Sequence, residues 1–144
     1  MATIVAVCLS STKGISKAPV GQGVVKEGYG FEGDAHAGGD VIRQVSLLAL
    51  ESIEKMNAGG FSFKPGDFAE NLTTKGIDLV SLPIGTRLTI GDGAIIEISQ
   101  IGKKCHTGCA ILKQAGYCIM PREGVFARVI KGGVVRGGDP ITVQ

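Results

Sequence analysis

Glycine cuts this chain into short pieces. The 23 glycines are about twice the usual share, and they fall in clusters such as Gly91-Asp92-Gly93, Lys131-Gly132-Gly133 and Gly137-Gly138 that have turn chemistry. Between them lie runs of β-branched and apolar residues too short for ordinary helices. Thr3–Ser10, Gly23–Lys26, Asp78–Leu82, Gly85–Ile90, Ala94–Ile101, Val125–Ile130, Val134–Arg136 and Ile141–Val143 all read as strands. The alternation is clearest in Ala94–Ile101, where Ile96 and Ile98 share one side. One strong helix is expected, over Val45–Asn57, with Leu47, Leu50, Ile53 and Met56 at helical spacing, Ser46 as N-cap, a Glu51–Lys55 pair outside and Gly59-Gly60 as the stop, and a brief second one over Ala110–Gly116. The fold class is therefore mainly β with few helices, and 144 residues make one domain, 1–144, the simplest reading.

Composition removes several functions. There is no tryptophan, only five Phe and two Tyr, and a net charge of +2, so neither base stacking nor phosphate tracking is supported and no nucleic acid is expected. No apolar run has transmembrane length, and the N-terminal apolar stretch Ile4–Leu9 lacks a basic region before it, which argues against a membrane role. The four cysteines, Cys8, Cys105, Cys109 and Cys118, are expected to be reduced thiols of a cytoplasmic protein. Dinucleotide, phosphate-loop and nucleophile-elbow signatures are missing.

Chemistry concentrates after the clearest strand, in Lys103-Lys104-Cys105-His106-Thr107-Gly108-Cys109. Neighbouring cations favour a thiolate, the strongest soft nucleophile or soft metal ligand among side chains. The alternative is that Cys105 and Cys109 are small buried hydrophobes. If the strand belongs to a closed or nearly closed barrel, Cys105 emerges at a strand end, where a loop can face a cleft. Cys105, His106, Cys109 and Cys118 are also a chemically suitable zinc set, although no second compact pair accompanies the Cys105–Cys109 spacing.

Two further stretches carry polar groups that need a purpose. The glycine-rich run Glu27–Asp40 holds Asp34 and His36, which face the same way on an extended chain, so that the carboxylate can set the histidine tautomer. A histidine that merely stitches the loop fits as well. After the Pro65-Gly66 turn, Glu70 and Asn71 set a carboxylate beside an amide, to orient either a ligand or the loop itself.

Taken in order, Ser10–Gly14, Gly30–Gly38, Arg43–Leu47, Pro65–Leu72, Gly85-Thr86, Cys105, Gly124–Val129 and the Gly132-Gly133 to Gly138-Asp139 tail resemble the MOSC family, the molybdenum cofactor sulfurase C-terminal domain, in its small stand-alone bacterial form. The resemblance implies a MOSC-type β-barrel similar to the pyruvate-kinase β-barrel-domain-like fold, with the hallmark cysteine at Cys105. It implies a molybdenum-cofactor-binding or sulfur-carrier protein, whose thiolate ligates molybdenum or carries persulfide sulfur. Asp34, His36, Arg43, Glu70, Asn71, Lys103, Lys104 and Arg128 are the implied cofactor-binding residues, with Cys105 as metal ligand and His106 and Cys109 as helpers. No pyridoxal phosphate is expected on this chain alone, and so no independent desulfurase activity. Any sulfur transfer would depend on a partner, a cysteine desulfurase or a molybdenum cofactor biosynthesis or acceptor protein. A zinc-binding structural or regulatory domain and a metal-free interaction module are the competing readings.

Overall fold

The computed structural model describes residues 2–11, 16–35, 37–38, 42–102 and 123–144. Among them are β1 (Thr3–Leu9), β2 (Ala18–Pro19), β3 (Gln22–Lys26), β4 (Gly30–Phe31), β5 (Val45–Ala49), α1 (Leu50–Asn57), β6 (Leu72–Lys75), β7 (Arg87–Ile90), β8 (Ala94–Ile101), β9 (Val125–Lys131), β10 (Gly133–Arg136) and β11 (Ile141–Val143). Eight strands form one sheet in the order β11-β7-β8-β9-β5-β6-β1-β2, and β10-β3-β4 form a second. Within the large sheet the β5–β6 pair is parallel, and the chain makes that crossover through α1.

The large sheet curls until β1 meets the chain entering β11. Thr3 bridges Pro140, the Ile4 amide donates to the Asp139 carbonyl at 2.8 Å, and the Ile141 amide donates to Ala2 at 2.9 Å. This seam gives the expected barrel-like closure. Alternate residues of β8 (Ala94, Ile96, Ile98), with Leu47, Leu72, Leu88, Ile90, Val125, Ala127 and Val129, fill the interior, and the small sheet adds Val25, Phe31 and Val135. A second apolar cluster lies under α1, where Ile53 and Met56 pack on Leu48, Phe63, Phe68 and Phe126.

Four sequence readings are corrected. Val45–Ala49 is not the first part of the helix; it is a central strand, paired with β9 on one edge and β6 on the other. Its near-continuous apolar composition comes from burial on both faces, which imitates helical spacing when joined to α1. Ser46 is therefore no N-cap, and Ala49 occupies that position without a side-chain bond. The Glu51–Lys55 pair gives way to longer-range partners, since Glu51 accepts from the Gly76 amide and Lys55 pairs with Glu123. Finally, Leu79–Ser81 is a 3₁₀ turn rather than strand, closed by a bond from the Leu82 amide to the Leu79 carbonyl just ahead of Pro83.

Candidate functional site

A buried ion pair organises one constellation. Lys17 Nζ lies 2.8 Å from Asp34 Oδ1, with both side chains wholly excluded from solvent. The same carboxylate oxygen accepts the Ser10 amide at 3.1 Å, and the Ala35 amide returns a bond to the Ser10 carbonyl at 2.7 Å. The Lys17 amide donates to the Gly66 carbonyl at 2.7 Å. Three segments distant in sequence thus converge: the end of β1, the glycine-rich run after β4 and the Pro65-Gly66 turn. Gly66 is required at that junction, because its φ is +92° and a Cβ would sit 2.0 Å from the Lys17 carbonyl oxygen.

Glu70 closes the turn from inside. Its Oε2 accepts the Gly66 amide at 3.0 Å and the Thr73 hydroxyl at 2.7 Å. Oε1 has no partner at hydrogen-bonding distance among the described residues. Burial raises the Glu70 pKa above the ordinary carboxylate value, against the opposing pull of the Gly66 amide and the Thr73 hydroxyl. Cys8 adjoins this carboxylate and is itself fully buried. Its thiol is pushed up to about 12, first by burial and then by the Glu70 charge. Such a thiol stays protonated at neutral pH and is neither a nucleophile nor a soft ligand.

Asn71 ties strands together. Its Oδ1 accepts the Ser46 amide at 3.0 Å and the Ser46 hydroxyl at 3.2 Å, and its Nδ2 donates to the Cys8 carbonyl at 3.2 Å. One amide therefore joins β5 and β1 through the residue just before β6. Ser46 is paired with Phe126 of β9, two positions after Gly124, or about 7 Å along the strand.

Gly124 matters because of what it flanks. The Gly102 amide donates to the Gly124 carbonyl at 2.6 Å, so the two ends of the segment carrying Cys105 are held together beside β8 and β9. Next to this neck, Glu123 is gripped by α1: Ser52 Oγ donates to Oε1 at 2.7 Å and Lys55 Nζ to Oε2 at 2.9 Å. Glu123, Ser52, Lys55 and the Gly76–Val80 stretch border a cleft of about 440 Å³, a volume within the range of small-ligand sites.

The predicted residues thus separate. Asp34, Glu70 and Asn71 share the buried framework around Cys8 and Lys17. Arg128 stands apart on the outer face of β9, where its Nε donates to Glu97 at 2.7 Å and Arg87 pairs with the same carboxylate. Arg43 is exposed beside Gln44, whose amide bonds to the Ala127 carbonyl. His36, Lys103, Lys104, Cys105, His106, Cys109 and Cys118 lie outside the described residues, as does the brief helix expected over Ala110–Gly116. Sequence reasoning missed Lys17, Ser46 and Cys8. The only signal for Lys17 was its place after the Ser10–Gly14 loop, since a buried lysine looks like a surface one in sequence.

Among the described residues no three His, Cys, Asp or Glu side chains lie close enough to hold a metal ion. Asp34 is committed to Lys17, and Cys8 keeps its proton. The described framework therefore does not fit a metal by itself, and any soft ligand must come from the Cys105 segment.

The molecule's relatives agree with this architecture. The fold is similar to that of the YUAD protein from Bacillus subtilis, with a TM-score of 0.82 and 21% identity over 99% of this chain and 96% of that one. YiiM from Geobacillus stearothermophilus matches at 0.76 and 22% identity, covering 100% of this chain and 75% of the other. YiiM from Escherichia coli matches at 0.64 and 21%, over 99% and 69%. No curated protein matches the sequence. The MOSC domain matches residues 33–142, a stretch that runs from the glycine-rich loop through the Cys105 segment to β11, and the chain therefore belongs to the MOSC domain family.

Proposed function

We propose that this MOSC protein binds molybdenum cofactor or carries sulfur for its assembly, with the Cys105 thiolate as the working group. The observation that carries the reading is the family match across residues 33–142, which includes the hallmark cysteine position. A contrast within the chain supports it: Cys8 is sealed and protonated, which leaves the working thiol to the segment that joins Gly102 to Gly124.

As a carrier, the Cys105 thiolate attacks the outer sulfur of a partner's persulfide, and the partner's cysteine departs as a thiolate; Cys105 then holds the transferred sulfur. Lys103 and Lys104 favour the thiolate that begins this exchange. As a cofactor binder, the same thiolate would supply the soft ligand to molybdenum and Lys103, Lys104 or Arg43 the charge for the pterin phosphate, while Arg128, which the resemblance also implied, is paired with Glu97. Asp34, Glu70 and Asn71 serve either role by fixing the loops around the site, and His36 is carried by the loop that Asp34 anchors. The sulfur donor is a partner of the cysteine desulfurase type, and the setting is the cytoplasm.

Anaerobic purification followed by metal, pterin and persulfide analysis tests the reading, with Cys105→Ser as the comparison. Bound molybdenum and pterin, or a persulfide on Cys105, lost in the variant, is the expected result. Absence of all three, with no uptake of added cofactor, overturns it. Stoichiometric zinc dependent on Cys105, His106 and Cys109 would replace it with a structural zinc site.

A further inference from the structure

Two adjacent residues carry costs that the reading of Cys105 does not use. Glu70 is wholly buried, and its Oε1 has no hydrogen-bond partner among the described residues. Ala69, just before it, is the one non-glycine among those residues with a left-handed backbone, at φ +64°. Orphaned buried polar atoms and left-handed residues are both uncommon, and each persists only where surrounding contacts hold it. We propose that Glu70 is a proton-operated latch on the Pro65-Gly66 turn: with its proton on, the carboxyl keeps the turn shut, and loss of that proton to water opens the turn and slackens the loop at Asp34. Cys105 and its chemistry play no part in it.

The two protonation states differ sharply at this site. Oε2 accepts the Gly66 amide at 3.0 Å and the Thr73 hydroxyl at 2.7 Å. A proton on Oε1 leaves a neutral group there, whereas ionisation leaves charge on an oxygen that nothing solvates, a much larger cost. The groups that could neutralise it are engaged elsewhere. On β1, the Cys8 thiol keeps its proton, being pushed up to about 12. Lys17 is committed to Asp34. On the turn itself, Asp67 accepts the Lys64 amide at the exposed side, β6 meets Glu70 with the Thr73 hydroxyl alone, and Phe68 brings the apolar cluster under α1. Burial accordingly raises the Glu70 pKa, opposed by the Gly66 amide, the Thr73 hydroxyl and the amides of Glu70 and Phe68. Water is the partner left for an ionised Oε1, and it enters when the turn lifts.

Lifting the turn reaches other segments through one peptide. The Gly66 carbonyl accepts the Lys17 amide at 2.7 Å and the Ala69 amide at 2.9 Å. Lys17 in turn carries Asp34 on its ammonium, and Asp34 holds the Ser10 amide. The latch therefore acts on the end of β1 and on the glycine-rich run after β4, two segments that Glu70 does not itself bond. Opening also lets Ala69 leave its left-handed conformation, so the strain of the closed turn favours release once the proton has gone.

The test is amide hydrogen exchange of the full chain, followed by NMR from acid to mildly alkaline pH, with each rate divided by the intrinsic rate of that amide at that pH to give its opening equilibrium. One proton released on opening makes this equilibrium climb by about tenfold per pH unit between the ordinary carboxylate pKa, which the open turn restores, and the raised value of the closed turn, and then level off. The Lys17 and Ala69 amides should follow that curve, with Ser10 in step. Glu70→Gln, which cannot ionise, should remove the climb at Lys17. The Ile98 amide, bonded to the Thr86 carbonyl in the barrel wall, should open less than Lys17 at every pH, which marks the event as local. Ala69→Gly relieves the strain of the closed turn and should lower Lys17 opening by about twofold to fivefold at every pH with the slope unchanged, an arm that serves if Glu70→Gln fails to fold. A flat profile at Lys17 in the unaltered protein, a climb that survives in folded Glu70→Gln, or equal opening at Lys17 and Ile98 overturns the latch. So does an Ala69→Gly variant whose Lys17 opening is not lowered.

Discussion

Lys17 Nζ and Asp34 Oδ1 face each other at 2.8 Å with no solvent on either side chain, and the bond joins two loops that the sequence separates by 17 positions. An ammonium buried so completely is tolerable only with its counter-charge in place. Lys17→Met should therefore cost about 3–5 kcal/mol of unfolding free energy, because it strands the Asp34 carboxylate. Adding Asp34→Asn, which leaves an acceptor for the Ser10 amide, should recover a substantial part. Urea denaturation of the two variants checks both statements.

Glu70 makes stability depend on pH in the less common direction for an acid. Its folded pKa is raised by burial, so the folded state holds the proton more tightly than the unfolded chain does. Stability from this group is full below the ordinary carboxylate value and falls as pH rises from there through the raised pKa. Glu97 acts oppositely, since hydrogen bonding to Arg128 depresses its pKa and its contribution is lost only as pH falls through that lowered value. Glu70→Gln should flatten the decline on the neutral side and leave the acid limb, which chemical denaturation across pH will show.

Cys8 should be silent in the folded protein. Its thiol is pushed up to about 12 and has no exposed surface, so iodoacetamide at neutral pH should leave it unmodified for as long as the barrel stays closed. In denaturant it should react at the rate of an ordinary cysteine. Peptide mapping before and after unfolding makes the comparison, and Cys8 then serves as the internal reference for labelling elsewhere.

Asn71→Ala should be among the costlier polar substitutions, at about 2–4 kcal/mol, since it orphans the Ser46 amide and the Cys8 carbonyl together. Asn71→Asp keeps the acceptor for Ser46 but loses the donor to Cys8 and buries a charge, so it should be no better. Melting temperatures of the pair, beside Asn71→Ser, decide this.

The sheet was legible wherever one face alone is buried. Ala94–Ile101 alternates because its odd and even residues see different surroundings, and β8 falls on those residues. Val45–Ala49 defeated the same reasoning because burial on both faces erases the alternation, and the Leu72–Lys75 strand went unread because it has one apolar side chain, Leu72, and its buried threonines show no alternation. At the site, Asp34, Glu70 and Asn71 were recognisable as polar groups needing partners. Their partners were not, because Lys17 and Ser46 lie 17 and 25 positions away and look ordinary in isolation.

The seam between Thr3 and Pro140 gives the molecule a particular order of assembly. Hairpins such as β7–β8 need only a short loop to close, but the seam joins strands from nearly opposite ends of the chain, and its entropy must be met before any bond there repays it. The barrel wall can be laid down strand by strand; its closure waits for the final strand. A chain shortened before β11 would retain most of its hydrophobic core residues yet expose two unpaired strand edges, at β1 and β7, as templates for aggregation.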